Sequence, residues 1–243
     1  MKKLLLLIII ILSACEAENS PCGYYEVSNE LRKLSIGSRG GCYYLTPSGN
    51  KKYVDRSNCN CSVVDNLETS IIVDKGIYTV SYNEFHQQPN WVEYIVSNRP
   101  KNVDRGSLDF YTENGITTSN DADYANNMWD KGHLAPAATF SDNYENLYST
   151  FSFLNCALQV DNLNRGEWAE LEQQVRDWSA SRGNISVRVE LVFSDGHTVL
   201  STDAHVPTGF WKNLTFNDGS SKCFYFPNEN TTANWTAYEQ SCN

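Results

Sequence analysis

Two stretches of this chain hold residue types that suit a reaction: Asp130-Lys131-Gly132-His133 and, thirty-one residues beyond that histidine, Asn164-Arg165-Gly166-Glu167-Trp168. The second opens a helical pattern that carries Glu172 and Arg176. An imidazole, an amide, a carboxylate and a guanidinium form a set able to cut a phosphodiester. Histidine takes a proton from water, and a divalent cation held by a neutral amide neutralises phosphate oxygens. The cationic side chains absorb charge that develops in the transition state. Each residue also has a plainer use: a lone histidine is often structural, and Asn164 suits a helix N-cap. Glu172 and Arg176 at i,i+4 suit a surface ion pair worth only about 0.3–0.5 kcal/mol.

These side chains need elements to position them. Trp168, Leu171, Val175 and Trp178 recur at 3-4-3 spacing, which predicts a helix over 167–178 with one apolar stripe. Glu172 and Arg176 then share a face beside that stripe. The apolar run Phe151 to Leu158 is too short for a typical helix and predicts a buried strand. Strands are predicted over 77–82, 91–96, 188–193 and 223–226, with a break at Pro89-Asn90. Residues 99–127 are polar and rich in Gly, Asn and Asp, which predicts a long surface loop, and such loops usually have a job. Residues 203–210 predict a loop before a short Trp211-Lys212 segment.

The 243 residues fit one large domain with a small extension, and 41% hydrophobic content excludes a disordered chain. The formal charge of −10 argues against nucleic-acid binding over the whole surface, so basic residues must cluster locally and a bound cation must offset the rest. Lys2 and Lys3 precede an apolar run from Leu4 to Leu12, too short to span a bilayer, which predicts a signal peptide over 1–14. The ending Leu12-Ser13-Ala14-Cys15 resembles a bacterial lipobox, in which Cys15 carries a lipid anchor; the alternative is an ordinary secretory signal cut after a small residue such as Ala17.

Export makes the remaining seven cysteines candidates for disulfides. Cys223 and Cys242 suit one bridge. Cys22, Cys42, Cys59 and Cys61 allow two more in any of three connectivities, and Cys156 remains as a buried free thiol. Cys59-Asn60-Cys61 lacks a second ligand pair at zinc-site spacing, so disulfides are favoured there. Residues 15–65 thus read as a Cys-rich extension. Within it, Ile36-Gly37-Ser38-Arg39-Gly40-Gly41-Cys42-Tyr43-Tyr44, running on to Tyr53-Val54, resembles a short basic adaptor-like motif of large algal viruses and bacterial surface proteins, and predicts a hairpin. Five Asn-x-Ser/Thr sequons begin at Asn60, Asn184, Asn213, Asn230 and Asn234; they are glycan acceptors only in a eukaryotic secretory route.

Over residues 67 to 230 the chain resembles the DNA/RNA non-specific endonucleases of the ββα-metal (His-Me finger) superfamily, which includes endonuclease G. Asp130-Lys131-Gly132-His133-Leu134-Ala135-Pro136 matches the family's Asp-Arg-Gly-His-x-Ala-Pro. Asn155 to Gln159 and Asn164 to Glu172 match its second block, and Val206-Pro207-Thr208-Gly209-Phe210-Trp211-Lys212 a weaker third. The resemblance implies an α+β fold, a mixed αβα arrangement with a central antiparallel sheet and a ββα-metal finger active site, over 66–243. It implies His133 as general base, Asn164 as the one direct protein ligand to Mg²⁺ (Mn²⁺ also fitting so open a site), and Glu172 as the carboxylate orienting metal-bound water. Arg176 matches a phosphate-binding arginine and Arg105 falls where the family places an arginine upstream of the histidine motif; both join His133, Glu172 and Lys131 as implied catalytic residues, with Asn155 and Gln159 as substrate-binding residues. DNA and RNA are the implied substrates, and no stable protein partner is inferable. Lys131 replaces the family's arginine and loses its planar fork, which implies a weaker grip on phosphate. Leu158 replaces the usual proline before Gln159. The competing reading is a surface binding module on a nuclease scaffold with little catalysis.

Overall fold

In the computed structural model, residues 24–27, 30–36, 41–59 and 70–242 are described, and the chain divides between Val63 and Val64 into two compact units. The signal segment, Cys15, Cys22, Asn60 and Cys61 lie outside the described residues. In the first unit, β1 (Tyr24–Val27), β2 (Glu30–Ile36), β3 (Cys42–Leu45) and β4 (Lys51–Tyr53) form an antiparallel meander. The hairpin expected around Tyr43-Tyr44 and Tyr53 is present, with Tyr43 opposite Tyr53. Among the described residues its buried cluster is Leu34, Cys42 and Tyr44, with Tyr25, Val27, Val54 and Cys59 packed against it. The Cys42–Cys59 disulfide supplements that small core by closing a loop in the unfolded chain.

The second unit is built on a seven-stranded antiparallel sheet. Its strands are β5 (Ser70–Asp74), β6 (Tyr78–Asn83), β7 (Gln88–Val96), β10 (Ile185–Val192), β11 (Gly209–Phe216), β12 (Ser221–Pro227) and β13 (Glu239–Gln240). The spatial order is β13-β12-β11-β10-β7-β6-β5. Alternate residues such as Val92, Tyr94, Val187, Val189, Phe210 and Leu214 point to one face and are buried there. Among the described residues the other face carries a ladder of rings and charges: Arg188 stacks over Trp91, bonds Glu93 and Glu190, and Trp211 lies against Tyr225. The α+β class with a central antiparallel sheet is therefore as expected. Two local expectations are not. Pro89 lies inside β7, where a register shift beside Ser81 and Tyr82 relieves the ladder of its missing N–H. Residues 209–216 form a full strand where a loop and short segment were expected, because Phe210, Leu214 and Phe216 alternate onto the core.

Five further elements complete this unit. Strand β8 (Trp129–His133) follows the long loop, α1 (Tyr144–Ser149) follows β8, and β9 (Cys156–Val160) returns antiparallel to β8 with His133 opposite Cys156. Helix α2 (Asp161–Arg165) leaves β9 directly, and α3 (Glu167–Arg182) follows after Gly166. Trp168, Leu171 and Val175 are fully buried and Trp178 is packed at the margin, so the 3-4-3 stripe is the packing face of α3. Trp168 meets Phe210 and Phe226 with ring centroids 5.5 and 5.6 Å away.

Among the described residues no strand pairs with the outer edge of β9, and side chains satisfy it instead. The Leu158 amide donates to Gln88 Oε1 at 3.1 Å, and Asn228 Nδ2 donates to the Leu158 carbonyl at 2.9 Å. The Val160 amide donates to Asn228 Oδ1, and Asn228 also donates to the Pro207 carbonyl, both at 2.9 Å. One amide side chain thus fastens β9 to the strand ends of the large sheet. Asn228→Ala leaves three backbone groups without partners and is expected to lower unfolding stability by about 2–4 kcal/mol in a urea titration; a change under about 0.5 kcal/mol would mean that water replaces the amide at no cost.

Candidate active site

His133 ends β8 inside a cluster of rings. Phe110 lies 4.5 Å and Phe151 4.8 Å from it, centroid to centroid. Its Nε2 is enclosed without a hydrogen-bond partner among the described residues, and the residue as a whole is half-buried. Burial, and secondarily the charge of Arg105, pull its pKa down to about 3. The ring is therefore neutral at pH 7 and has a lone pair ready to accept a proton. Arg105 comes from the long loop, lies 4.9 Å over the Phe151 ring and is itself exposed. That loop has a task after all: it supplies Arg105, Asp109, Phe110 and Asp121 around β8.

Asp130, three residues before His133 on β8, organises the other half. It accepts from Asn164 Nδ2 at 2.9 Å and takes a two-pronged contact from Arg165, Nε at 2.7 Å and Nη2 at 2.6 Å. Burial pushes the Asp130 carboxyl up, but the hydrogen bonds from Arg165 and Asn164, with the Arg165 charge, outweigh it and hold the group below the usual carboxylate range. The clamp fixes the Asn164 amide with its nitrogen towards Asp130, and Asn164 Oδ1 accepts no hydrogen bond among the described residues. A free, oriented, neutral oxygen suits a hard cation such as Mg²⁺, which prefers oxygen donors and keeps most of its waters. Imidazole and amide are thus anchored to one five-residue strand, at positions about 10 Å apart along it.

Asn164 is not an N-cap. It sits inside α2, and the eight-residue spacing to Glu172 crosses the break at Gly166. Gly166 is required at that break because a Cβ there would lie 2.7 Å from the Asn162 carbonyl oxygen. Glu172 does not pair with Arg176 either. Its carboxylate meets Lys212 Nζ at 3.3 Å, on the inward face of β11, and Lys212 lies 3.7 Å over the Trp168 ring. Burial raises the pKa of Glu172 against the pull of Lys212 and Arg176, and burial lowers that of Lys212 to about 8 against the pull of Glu172. Arg176 gives one hydrogen bond, Nη2 to Gln173 at 2.9 Å, while its Nε and Nη1 are enclosed without partners.

Lys131 is committed elsewhere. Its ammonium bonds Asp109 at 2.9 Å and Asp121 at 2.6 Å, and these contacts raise its pKa despite burial. A substrate phosphate would have to compete with both carboxylates. Asn155 and Gln159 stand where substrate cannot reach, since both are fully buried. Asn155 accepts from the Ala135 amide at 2.7 Å and donates to the Ala135 and Thr150 carbonyls, so it holds the turn after His133. Gln159 lies across Gly132, and a Cβ on that glycine would overlap its side chain. Both are positioning residues and not substrate contacts. The sequence reading gave no role to Asp130, Arg165 or Lys212. Asp130 stood in the histidine motif and Lys212 closed the third block, so their presence was visible and their partners were not.

Two outcomes follow from this geometry. Gly132→Ala is expected to cost about 1–3 kcal/mol, read by chemical denaturation, because overpacking displaces Gln159 in a filled interior. The unfolded chain takes a proton on His133 below about pH 6.5, which the folded state refuses until about 3. Stability from this group therefore falls as pH drops through that window, since the unfolded state binds the extra proton. In NMR the His133 ring should keep its neutral shifts down to about pH 4.5; a midpoint near the free-imidazole value of about 6.5 would mean that the ring is not enclosed.

The chain is similar to a set of nucleases. It is 28% identical over 179 residues to Nuclease C1 of Cunninghamella echinulata var. echinulata, covering 65% of this chain and 71% of the relative. It is 28% identical over 158 residues to mitochondrial endonuclease G of Bos taurus, covering 58% of this chain and 52% of that protein, so it spans about half of that relative's length. Its fold matches the crystal structure of an EndoG/EndoGI complex that describes the mechanism of EndoG inhibition, with a TM-score of 0.65, 24% identity, and coverage of 70% of this chain and 80% of that one. The family model for DNA/RNA non-specific endonuclease matches residues 58–243, and that match spans β8, β9, α2 and α3 with Asp130, His133 and Asn164 upon them. The chain therefore belongs to the DNA/RNA non-specific endonuclease family, whose members hydrolyse nucleic acids.

Proposed function

We propose that this protein is an exported, Mg²⁺-dependent, sugar-nonspecific endonuclease that hydrolyses phosphodiester bonds of DNA and RNA and leaves 5′-phosphate ends. The observation that carries the reading is the pairing, on one short strand, of a neutral enclosed imidazole with a carboxylate that aims a free amide oxygen. The His133 imidazole accepts a proton from water as the water oxygen bonds phosphorus and the bond from phosphorus to O3′ breaks. Mg²⁺, or Mn²⁺ in its place, supplies charge neutralisation for the phosphate and leaving oxygens when bound, and Asn164 Oδ1 is the protein oxygen suited to hold it. Asp130 and Arg165 keep that amide turned. Arg176 adds positive charge beside Glu172, and Arg105 offers an exposed charge beside His133. Glu172, held by Lys212, is the carboxylate that orients water. Contacts of these kinds read the backbone and not the bases, so sequence preference is low. A leader over 1–14, with Cys15 as a lipid anchor, places the enzyme outside the cytoplasm, and the Cys42–Cys59 and Cys223–Cys242 disulfides suit that compartment.

A second reading has one specific observation in its favour. Lys131 is neutralised by Asp109 and Asp121, which weakens phosphate contact and suits a module that binds but seldom cuts. Digestion of plasmid and RNA with Mg²⁺, Mn²⁺ or EDTA separates the two. The expected result is cleavage of both polymers, abolished by EDTA, with His133→Ala slower by about 10²–10⁴-fold. Asp130→Asn is expected to weaken metal-dependent activity by about 10–100-fold through the loosened Asn164 amide. Wild-type protein that binds nucleic acid without cutting it under any divalent ion would establish the second reading.

A further inference from the structure

The chain has four histidines, and three of them take no part in the site described above. His86 lies in the turn between β6 and β7, which is pinned by the Asn83 side chain accepting from the Phe85 and His86 amides at 3.0 and 3.1 Å. His197 and His205 lie on the two arms of the loop between β10 and β11. Those arms are joined by hydrogen bonds from the Val206 amide to the Thr198 carbonyl at 2.8 Å and from the Leu200 amide to the Ala204 carbonyl at 2.9 Å. A third, from the His205 amide to the His86 carbonyl at 2.9 Å, locks loop and turn together. One ring nitrogen from each histidine lies within 4.8 Å of the other two.

The ring nitrogens are arranged as ligands and not only as packing. His197 Nδ1 lies 3.0 Å from the Ser194 carbonyl, which can only accept, so Nδ1 carries the proton and Nε2 presents its lone pair. That Nε2 accepts a hydrogen bond from His205 Nδ1 at 2.7 Å, a bond that a cation would replace, and the same tautomer leaves His205 Nε2 with its lone pair. His86 Nδ1 and His205 Nε2 are enclosed without any partner. Phe193 lies 4.4 Å from the His86 ring and Phe85 5.0 Å from the His205 ring, which removes water from one side. A purely aromatic cluster gains nothing from buried nitrogens with no bond to make. Burial, aided by the neighbouring imidazoles, takes His86 and His205 down to about 4 each, so both offer neutral rings at pH 7.

We propose that His86, His197 and His205 form a second metal site, separate from the Asn164 centre, that binds a transition cation of the zinc class through three imidazole nitrogens. Imidazole selects Zn²⁺ over Mg²⁺, which favours oxygen, so the two centres hold different ions in the same solution. Three protein nitrogens leave the fourth tetrahedral position to solvent. The bond from His197 Nδ1 to Ser194 is the outer-shell contact that orients a metal-binding histidine. The cation staples the β6–β7 turn to the β10–β11 loop. Gln88, two residues past His86, and Pro207, two past His205, both belong to the side-chain fastening of β9. The staple therefore steadies the support on which the histidine strand rests.

Zinc titration of the chelator-treated full chain in excess Mg²⁺ tests this. The expected result is one tightly bound Zn²⁺ per chain, with affinity reduced at least about 100-fold in His197→Ala and unchanged in Asn164→Ala. Histidine ring signals of the wild-type protein give a readout that needs no variant: three of the four sets should shift on adding one equivalent of Zn²⁺, while the His133 set does not. No zinc binding in excess Mg²⁺, equal affinity in wild type and His197→Ala, or a shift confined to the His133 signals would each overturn the proposal. None of these results bears on whether the Asn164 centre cuts nucleic acid.

Discussion

A single carboxylate sets the geometry of the candidate site. Asp130 reaches from β8 to the helical turn that follows β9 and grips Asn164 and Arg165 at once. Its charge is compensated by a guanidinium, so the carboxylate remains ionised while half-buried, and its fixed position dictates which way the Asn164 amide faces. An unclamped amide rotates freely and offers oxygen or nitrogen alike. The clamp removes that freedom before any cation arrives, which is how preorganisation raises affinity without adding contacts.

The electrostatics of the finger are local and largely self-cancelling, which reconciles a chain of net charge −10 with a polyanionic substrate. Lys131 is shared by two aspartates, Arg165 is held by Asp130, and Lys212 faces Glu172. Among the described residues of the site, Arg176 and Arg105 make no ion pair: Arg176 has two enclosed unpartnered nitrogens, and Arg105 is exposed beside the histidine. Positive potential is thereby concentrated at a few points and is not spread over a surface. Steering from a distance is weak in such an arrangement, and binding depends on short-range contacts.

What the sequence made legible was chemistry and periodicity. The histidine motif, the 3-4-3 stripe of α3, the buried thiol of Cys156 and the Cys223–Cys242 bridge all appear in the structure. These features depend on local spacing, which a sequence displays directly. Partners were not legible. The i,i+4 spacing put Glu172 with Arg176, but the inward face of β11 delivers Lys212 from forty residues away. Spacing also offered Asn164 as the cap of the helix that carries Glu172, yet Asn164 lies inside a short helix of its own and Gly166 takes the cap position. Pro89 read as a break because proline lacks a donor, and the bulge that accommodates it belongs to two strands at once. Three histidines scattered between positions 86 and 205 showed no metal-site spacing, since only the meeting of a turn with a distant loop brings them together.

Among the described residues the edge of β9 is fastened by Gln88 and Asn228 and not by a neighbouring strand. Peptide ladders are nearly indifferent to sequence, because every residue except proline carries the same donor and acceptor. Fastenings made from side chains are written in single codons. How firmly the catalytic element seats on its platform is accordingly a heritable variable that one substitution can loosen or tighten, while the platform itself stays unaltered.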